Sequence, residues 1–318
     1  MRYASRMTIL LASDFDAGDR DRWLALLRAA LPGEHLVHER TGTDDGAIDV
    51  AIVANPPPGA LAGLSGLRLV QSLWAGVDRL LADPTVPADV PLARMVDPAM
   101  NTAMAETALW AVLHLHRDFV DYAGDQRAGR WRPRPQRRAD DVAVTVLGLG
   151  EMGCTVARRL ADNGYRVTGW SRRPAAPVPG VATRAGEAAL PAALAEADVV
   201  VNLLPLTAQT RGLFDARRLA QLRRGAALVN LARGAHVVDA DLLEALDRGQ
   251  VRHAVLDVFH AEPLPPAHAY WSHPRVTMLP HVAAQTDPRS AAAVAADNVR
   301  ALRAGQPLRH RVDRARGY

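Results

Sequence analysis

The stretch Val144–Gly164, "VTVLGLGEMGCTVARRLADNG", runs an apolar segment into three glycines, Gly148, Gly150 and Gly153, and then into a segment with helical spacing. Strand, glycine turn and helix in that order suit a dinucleotide, because the turn lets backbone approach a pyrophosphate and the helix N-terminus offers it N–H groups. Gly148 is expected to make the tight turn, Gly150 to leave room for the phosphates, and Gly153 to let helix and strand pack closely. The helix is expected to end at Gly164. An ordinary tight turn is the alternative, and the flanking strand and helix weigh against it.

Roughly twenty residues beyond such glycines, a strand end commonly carries an acid that accepts from the ribose 2′-OH of NAD. Here the strand end reads "GWSRRP", Gly169–Pro174. A hydroxyl at Ser171 and guanidiniums at Arg172 and Arg173 suit a 2′-phosphate, which an acid would repel. This predicts NADP(H) as the preferred cofactor, with NAD(H) as the alternative; solvated loop arginines are the competing reading.

The surrounding chain repeats the pattern. "ADVVVNLLP" (197–205), "GAALVNLARG" (225–234), "VRHAVLDVF" (251–259) and "PRVTMLPH" (274–281) are continuous apolar runs separated by helical segments, as in a parallel sheet covered on both faces. The first hundred residues make a smaller α/β unit: "MTILLAS", "DVAIVAN", "LRLVQSLW" and "LARMV" as strands, and "DRDRWLALLRAALPG" as a helix closed by Pro-Gly. Residues 101–129 read as one long helix joining two domains, with Met104, Leu109, Val112, Leu113 and Leu115 on apolar faces. Trp131–Arg138, broken by Pro133 and Pro135, reads as a loop.

Composition narrows the chemistry. At 318 residues, 49% hydrophobic and 23% charged, the chain has the size of two ordinary globular domains. No run approaches the ~18–20 apolar residues of a membrane span, and "MRYASRMTILLASDFD" is too short in its apolar part for a secretory signal, which points to the cytoplasm. The single cysteine, Cys154, excludes an internal disulfide and a cysteine-based metal site, and no metal is expected. All 38 basic residues are arginine, so no lysine serves as phosphate ligand, Schiff base or proton donor. The clusters "RWRPRPQRR" and "RHRVDRARGY" are too interrupted, and the net charge of +4 too small, to predict nucleic-acid binding. A solvated face or subunit contact fits them better.

Three further strand ends carry Arg233 in "VNLARGAHVVD", Asp257 and Glu262 in "LDVFHAEPLPP", and His281 in "MLPHVAAQT". Arginine, carboxylate and histidine together suit reduction of a 2-keto acid. Arg233 would bind the carboxylate and polarise the carbonyl, His281 would give the proton, and Glu262 would orient His281 and favour its charged form. Any one of them alone would more often be structural.

These motifs, with "LWAGVD", "VLGLGEMG", "NLLPLTAQT", "WSHPRVTMLPHVAA" and "VDRARGY", make the chain resemble the D-isomer-specific 2-hydroxyacid dehydrogenase family over nearly its whole length, most closely its glyoxylate/hydroxypyruvate reductase A branch. The resemblance implies two Rossmann-like or flavodoxin-like α/β domains with parallel sheets and an active site in the interdomain cleft. The substrate-binding domain would be discontinuous, residues 1–101 and 286–318, around an NAD(P)-binding Rossmann domain at 102–285. It implies Arg233, Glu262 and His281 as the catalytic residues. Gly148, Leu149, Gly150, Glu151, Met152 and Gly153 would hold the pyrophosphate, and Ser171, Arg172 and Arg173 the 2′-phosphate. Leu204, Pro205 and Thr210 would line the adenosine side, Leu231 and Asp257 would approach the nicotinamide, and Ala232 would also bind the cofactor.

The backbone of Ala75, Gly76 and Val77 would bind the substrate carboxylate. Trp74 either lines the pocket or is ordinary packing, and the segments around Trp74, Met100 and Trp131 would shape the pocket. Leu279 stands where the family often has Thr or Ser. The expected activity is NADPH-preferring reduction of glyoxylate and hydroxypyruvate by a cytoplasmic homodimer, with no nucleic-acid or membrane partner. A different 2-keto acid, or a nucleotide-sensing module without turnover, are the alternatives.

Overall fold

The computed structural model describes residues 7–318. Met1–Arg6, the first part of the segment read for a leader, lie outside the described residues. Two compact units divide the chain: one runs to Ala99 and resumes at Thr286–Tyr318, and the other is Met100–Gln285.

The first unit opens with β1 (Thr8–Ser13), α1 (Ala17–Ala30), β2 (His35–Val37) and β3 (Ile48–Ala54), followed by β4 (Leu69–Ser72), α2 (Asp78–Ala82) and β5 (Leu92–Ala93). Asp16 caps α1 by accepting from the Asp19 N–H, and the helix buries Trp23, Leu24 and Leu27. The strands are parallel in the order β2-β1-β3-β4-β5, the flavodoxin-like arrangement. Every residue of β3 is buried, as its central place requires. One of them is Asp49, whose charge is offset by Arg303; the same guanidinium also reaches Glu34, at 2.8 Å. β2 has only three residues, one buried, and leaves no periodic signal in the sequence. The segment expected as a strand through Trp74 stops at Ser72, and the one beginning at Leu92 is two residues long.

The chain passes into the second unit within α3 (Pro98–His116), followed by α4 (Phe119–Arg127). The single helix expected over 101–129 is therefore two. Asp118 takes a left-handed conformation, φ 54°, and its carboxylate accepts from Arg252 at 2.7 Å. The break is set by that partner, 134 residues away, while helical spacing continues on both sides of it. Met100 also lies on α3, 3% exposed, and is not part of a loop. The Arg-Pro segment after α4 has no regular structure, and Trp131 is 98% exposed. Three of its arginines are paired: Asp125 accepts from Arg130 and Arg134, and Asp198, 61 residues further on, from Arg137.

Then come β6 (Ala143–Leu147), α5 (Glu151–Asp162), β7 (Arg166–Ser171), β8 (Val181–Ala185), α6 (Leu190–Ala195) and β9 (Val199–Asn202). They are followed by α7 (Ala216–Ala220), β10 (Ala226–Asn230), α8 (Asp239–Asp247), β11 (Val251–Leu256) and β12 (Val276–Met278). All seven strands are parallel, in the order β12-β11-β10-β9-β6-β7-β8. The order reverses between β6 and β9, so the loops after these two strands open a crevice at the strand ends. One face of the sheet packs Val144, Val146 and Val229 against α3 and α5, and the other packs Val200, Leu228 and Ala254 against α6 and α8. β8 is a mostly exposed edge strand, "VATRA", too polar to be read as a strand from sequence.

The last helix, α9 (Pro288–Arg303), belongs to the first unit. Arg303 ties it to Asp49 and Glu34, and its buried Asn298 donates to Gln71 at 2.7 Å. No helix among the described residues is long and apolar enough to cross a membrane.

Candidate active site

The glycine loop follows β6 directly. Gly148 has φ 99°, a conformation L side chains avoid, and a Cβ there would lie 2.9 Å from the Leu203 carbonyl oxygen. A Cβ on Gly153 would lie 1.7 Å from the Gly148 carbonyl oxygen, so only glycine lets α5 start this close to the strand. Gly150 caps α5 and has open space where its Cβ would be. The result is a helix N-terminus with no side-chain cap and open space at Gly150, which fits a pyrophosphate. Glu151 is exposed in the first turn of α5, Met152 packs on the core, and Leu149 covers Gly169. Cys154 lies in α5 beside the Leu149 carbonyl, and burial raises its thiol pKa.

Next to β6 in the sheet, on the side away from β9, β7 ends at Ser171. Trp170 points into the core and donates to the Gly186 carbonyl at 3.0 Å. Ser171 Oγ donates to the Arg173 carbonyl at 2.6 Å, curling the chain so that Arg172 and Arg173 follow immediately. After β9, Thr210 Oγ1 donates to the Pro205 carbonyl at 2.7 Å and accepts from the Thr207 N–H, which closes the 205–210 turn. Leu204 and Leu231 direct their side chains into the cores, so a ligand at these positions meets backbone.

His281 and Glu262 meet beyond β11 and β12. His281 Nδ1 is 2.7 Å from Glu262 Oε2, and the other carboxylate oxygen accepts from the Phe259 N–H at 2.8 Å. A carboxylate can only accept, so Nδ1 carries a hydrogen and Nε2 is the ring nitrogen outside this contact. The hydrogen bond to Glu262 raises the His281 pKa above its ordinary 6.5, against burial, with the charges of Glu262 and Asp257 adding and that of Arg233 subtracting. Burial pushes Glu262 up, but hydrogen bonds from His281 and Phe259 and the charges of His281 and Arg233 bring it below its usual value. Both groups therefore feel Arg233, which follows β10 and directs Nη1 to the Ala232 carbonyl at 2.7 Å.

Two features of this arrangement were not legible in the sequence. His281 has φ 55°, left-handed backbone that a non-glycine residue adopts at a cost. The Asp257 carboxylate holds it there by accepting from the Val282 N–H at 2.7 Å and the Ala283 N–H, while the Asp257 carbonyl accepts from the His281 N–H at 2.8 Å. Burial raises the Asp257 pKa, against those backbone hydrogen bonds. The second feature is Gly234, next to Arg233, where a Cβ would lie 2.0 Å from the Phe259 carbonyl carbon. The loop bearing Glu262 rests on that glycine. Among the described residues no group of three or more His, Cys, Asp or Glu could hold a metal ion.

In the first unit, Trp74 packs edge-on against Phe15, with ring centroids 6.1 Å apart, and lies in the bend after β4. Ala75 and Gly76 are half-buried, and Val77, just before α2, is buried.

Residues 109–283 match the family model described as D-isomer specific 2-hydroxyacid dehydrogenase, NAD binding domain. Over 305 residues the chain is 41% identical to the glyoxylate/hydroxypyruvate reductase A of Klebsiella pneumoniae, covering 94% of this chain and 97% of that protein. The chain belongs to the D-isomer specific 2-hydroxyacid dehydrogenase family. A dehydrogenase of this family from Xanthobacter autotrophicus, solved with NADPH and MES, superposes with a TM-score of 0.93 at 42% identity, covering 98% of this chain and all (100%) of that one. The NADPH-dependent glyoxylate/hydroxypyruvate reductase of Sinorhizobium meliloti, solved with NADP and sulfate, gives 0.91 at 35% identity, covering 98% and 100%.

For a dehydrogenase built this way, Gly234→Ala is expected to lower turnover about 100-fold, because displacing Phe259 moves the N–H that orients Glu262. Steady-state kinetics beside a melting curve checks this; full activity in Gly234→Ala would show that the loop yields without disturbing Glu262. Leu279, the departure noted in the sequence, joins β12 to β11 through a backbone bond to the Leu256 carbonyl at 2.9 Å.

Proposed function

We propose that this chain is an NADPH-preferring reductase of small 2-keto acids, converting glyoxylate to glycolate and hydroxypyruvate to D-glycerate. The observation that carries the reading is the 2.7 Å contact of His281 Nδ1 with Glu262, in the field of Arg233. It favours the charged form of the imidazole and leaves Nε2 outside the Glu262 contact, with Arg233 near enough to act on its charge, which is what a keto acid's carbonyl oxygen and carboxylate require. Relatives named glyoxylate/hydroxypyruvate reductase support the substrate class, and their NADP and NADPH complexes support the cofactor.

The bound nicotinamide nucleotide supplies the hydride. Arg233 binds the substrate carboxylate and draws electron density from the carbonyl, and His281 Nε2 protonates the carbonyl oxygen while Glu262 stabilises the imidazolium. Gly148 to Gly153 and the start of α5 hold the pyrophosphate. Ser171, Arg172 and Arg173 hold the 2′-phosphate, and Leu204, Pro205 and Thr210 the adenosine side. We assign the nicotinamide side to the backbone at Leu231 and Asp257, with Ala232 also at the cofactor. In the first unit we assign substrate binding to Trp74 and to the N–H groups of Ala75, Gly76 and Val77. We also infer a homodimer on the strength of the family, which sedimentation tests, and a cytoplasmic location, which cell fractionation tests.

Initial rates with glyoxylate and hydroxypyruvate, comparing NADPH with NADH, test the function. NADPH is expected to be preferred by more than about tenfold, and Arg172→Ala with Arg173→Ala should erase that preference by raising the KM for NADPH alone. Equal use of both nucleotides by the wild type would make those arginines surface residues. Absence of turnover with either acid would refute the substrate assignment.

A further inference from the structure

Beneath the strand ends lie three polar side chains with no exposure at all, Asn202 at the end of β9, Asn230 at the end of β10, and His236 in the turn after Arg233. Backbone partners fix their orientations. Asn202 Oδ1 accepts from the Leu204 N–H at 3.3 Å, so its amide nitrogen is the atom 3.0 Å from both Asn230 Oδ1 and His236 Nδ1. Asn230 Oδ1 also accepts from the Ala232 N–H at 3.3 Å, and its amide nitrogen donates to the Arg233 carbonyl at 2.9 Å. Since His236 Nδ1 must accept, Nε2 bears the hydrogen and donates to the Pro205 carbonyl at 3.3 Å.

Burying three polar groups is costly unless each is satisfied, and packing alone would be served by apolar residues. What these side chains accomplish is specific: every outward bond described above ends on backbone of one of two loops, 204–205 or 232–233. We propose that Asn202, Asn230 and His236 form a positioning unit in which Asn230 sets the backbone of Arg233 and His236 sets the turn at Pro205, with Asn202 keeping the two in register. The claim rests on the reading of Arg233 as the substrate arginine and of the Pro205 turn as part of the nucleotide site. None of the three touches a ligand; they hold in place, before binding, the residues that do.

The two ends of the unit can be cut separately. Asn230→Ala removes the donor to Arg233 and should lower kcat/KM for glyoxylate about tenfold, while the Kd for NADPH, read from nucleotide fluorescence, stays within about twofold. His236→Asn keeps an oxygen to accept from Asn202 and loses the donor to Pro205. It should raise the NADPH Kd about tenfold and leave the KM for glyoxylate at saturating NADPH within about twofold. Normal NADPH binding by Asn230→Ala also reports that this variant folds. Unchanged kcat/KM in Asn230→Ala, or equal weakening of both ligands by both variants, overturns the proposal. A wild type that reduces neither keto acid refutes the substrate reading instead; the positioning claim is then read from calorimetric binding of oxalate to the NADPH complex, which Asn230→Ala must weaken by the same factor or the claim fails.

Discussion

Replacing His281 with asparagine is expected to lower kcat for glyoxylate reduction by about 10²–10⁴-fold, the usual contribution of a positioned proton donor. Asparagine is the informative choice because position 281 has φ 55°, which asparagine tolerates better than alanine does. The loop bonds from Asp257 to the backbone of Val282 and Ala283 are then retained, and the loss reports the imidazole rather than a collapsed loop. NADPH binding should be unchanged. A kcat within about threefold of wild type would show that the proton comes from elsewhere.

The same residue is expected to set the pH dependence of the reaction. On the proposed mechanism reduction consumes the proton of the imidazolium, so the rate is expected to hold below the His281 pKa and to fall as pH rises through it. Glu262 raises that pKa above 6.5, so the active range reaches further toward alkaline pH than a free histidine allows. Glu262→Gln removes the charge while keeping an acceptor for Nδ1–H, and the alkaline limb should move to lower pH. A profile that Glu262→Gln leaves in place would remove Glu262 from this role.

Arg233→Ala is expected to cost about 10²–10³-fold in kcat/KM for glyoxylate, the scale of losing one preorganised donor to a developing oxyanion. Arg233→Lys should recover little of it. A lysine keeps the charge, but an ammonium does not offer the planar fork that binds a carboxylate through two parallel bonds. The fork starts from a tightly held backbone: the Arg233 carbonyl accepts from Asn230, and its neighbour Gly234 lies against Phe259. Competition by oxalate separates the two parts of the loss, since binding weakens wherever the carboxylate contact is lost. Near-normal kcat/KM in Arg233→Ala would sink the mechanism.

Much of this molecule is written in local chemistry. The glycines at 148, 150 and 153 declare themselves because each answers a steric demand within a few residues: a left-handed turn, an open approach and a helix start hard against a strand. The buried strands declare themselves because a parallel sheet covered on both faces demands unbroken apolar runs. The edge strands β2 and β8 do not, because a strand with solvent on one side and few buried residues looks like loop. Nor does the break at Asp118, which a distant arginine enforces.

The sequence by itself determined the parallel-sheet class, the place of the nucleotide loop, and the residue types from which a keto-acid site could be assembled. Only the tertiary structure decided that Glu262 and His281, 19 positions apart, share a 2.7 Å contact. It also decided that Asp257 turns its carboxylate on the backbone of the histidine loop, that Gly234 bears the weight of Phe259, and that two asparagines and a histidine join neighbouring loops. The physical reason is the same in each case. Burial and backbone geometry leave their mark on neighbouring residues, whereas a hydrogen bond between two strand ends depends on where separate segments are brought together by the whole sheet.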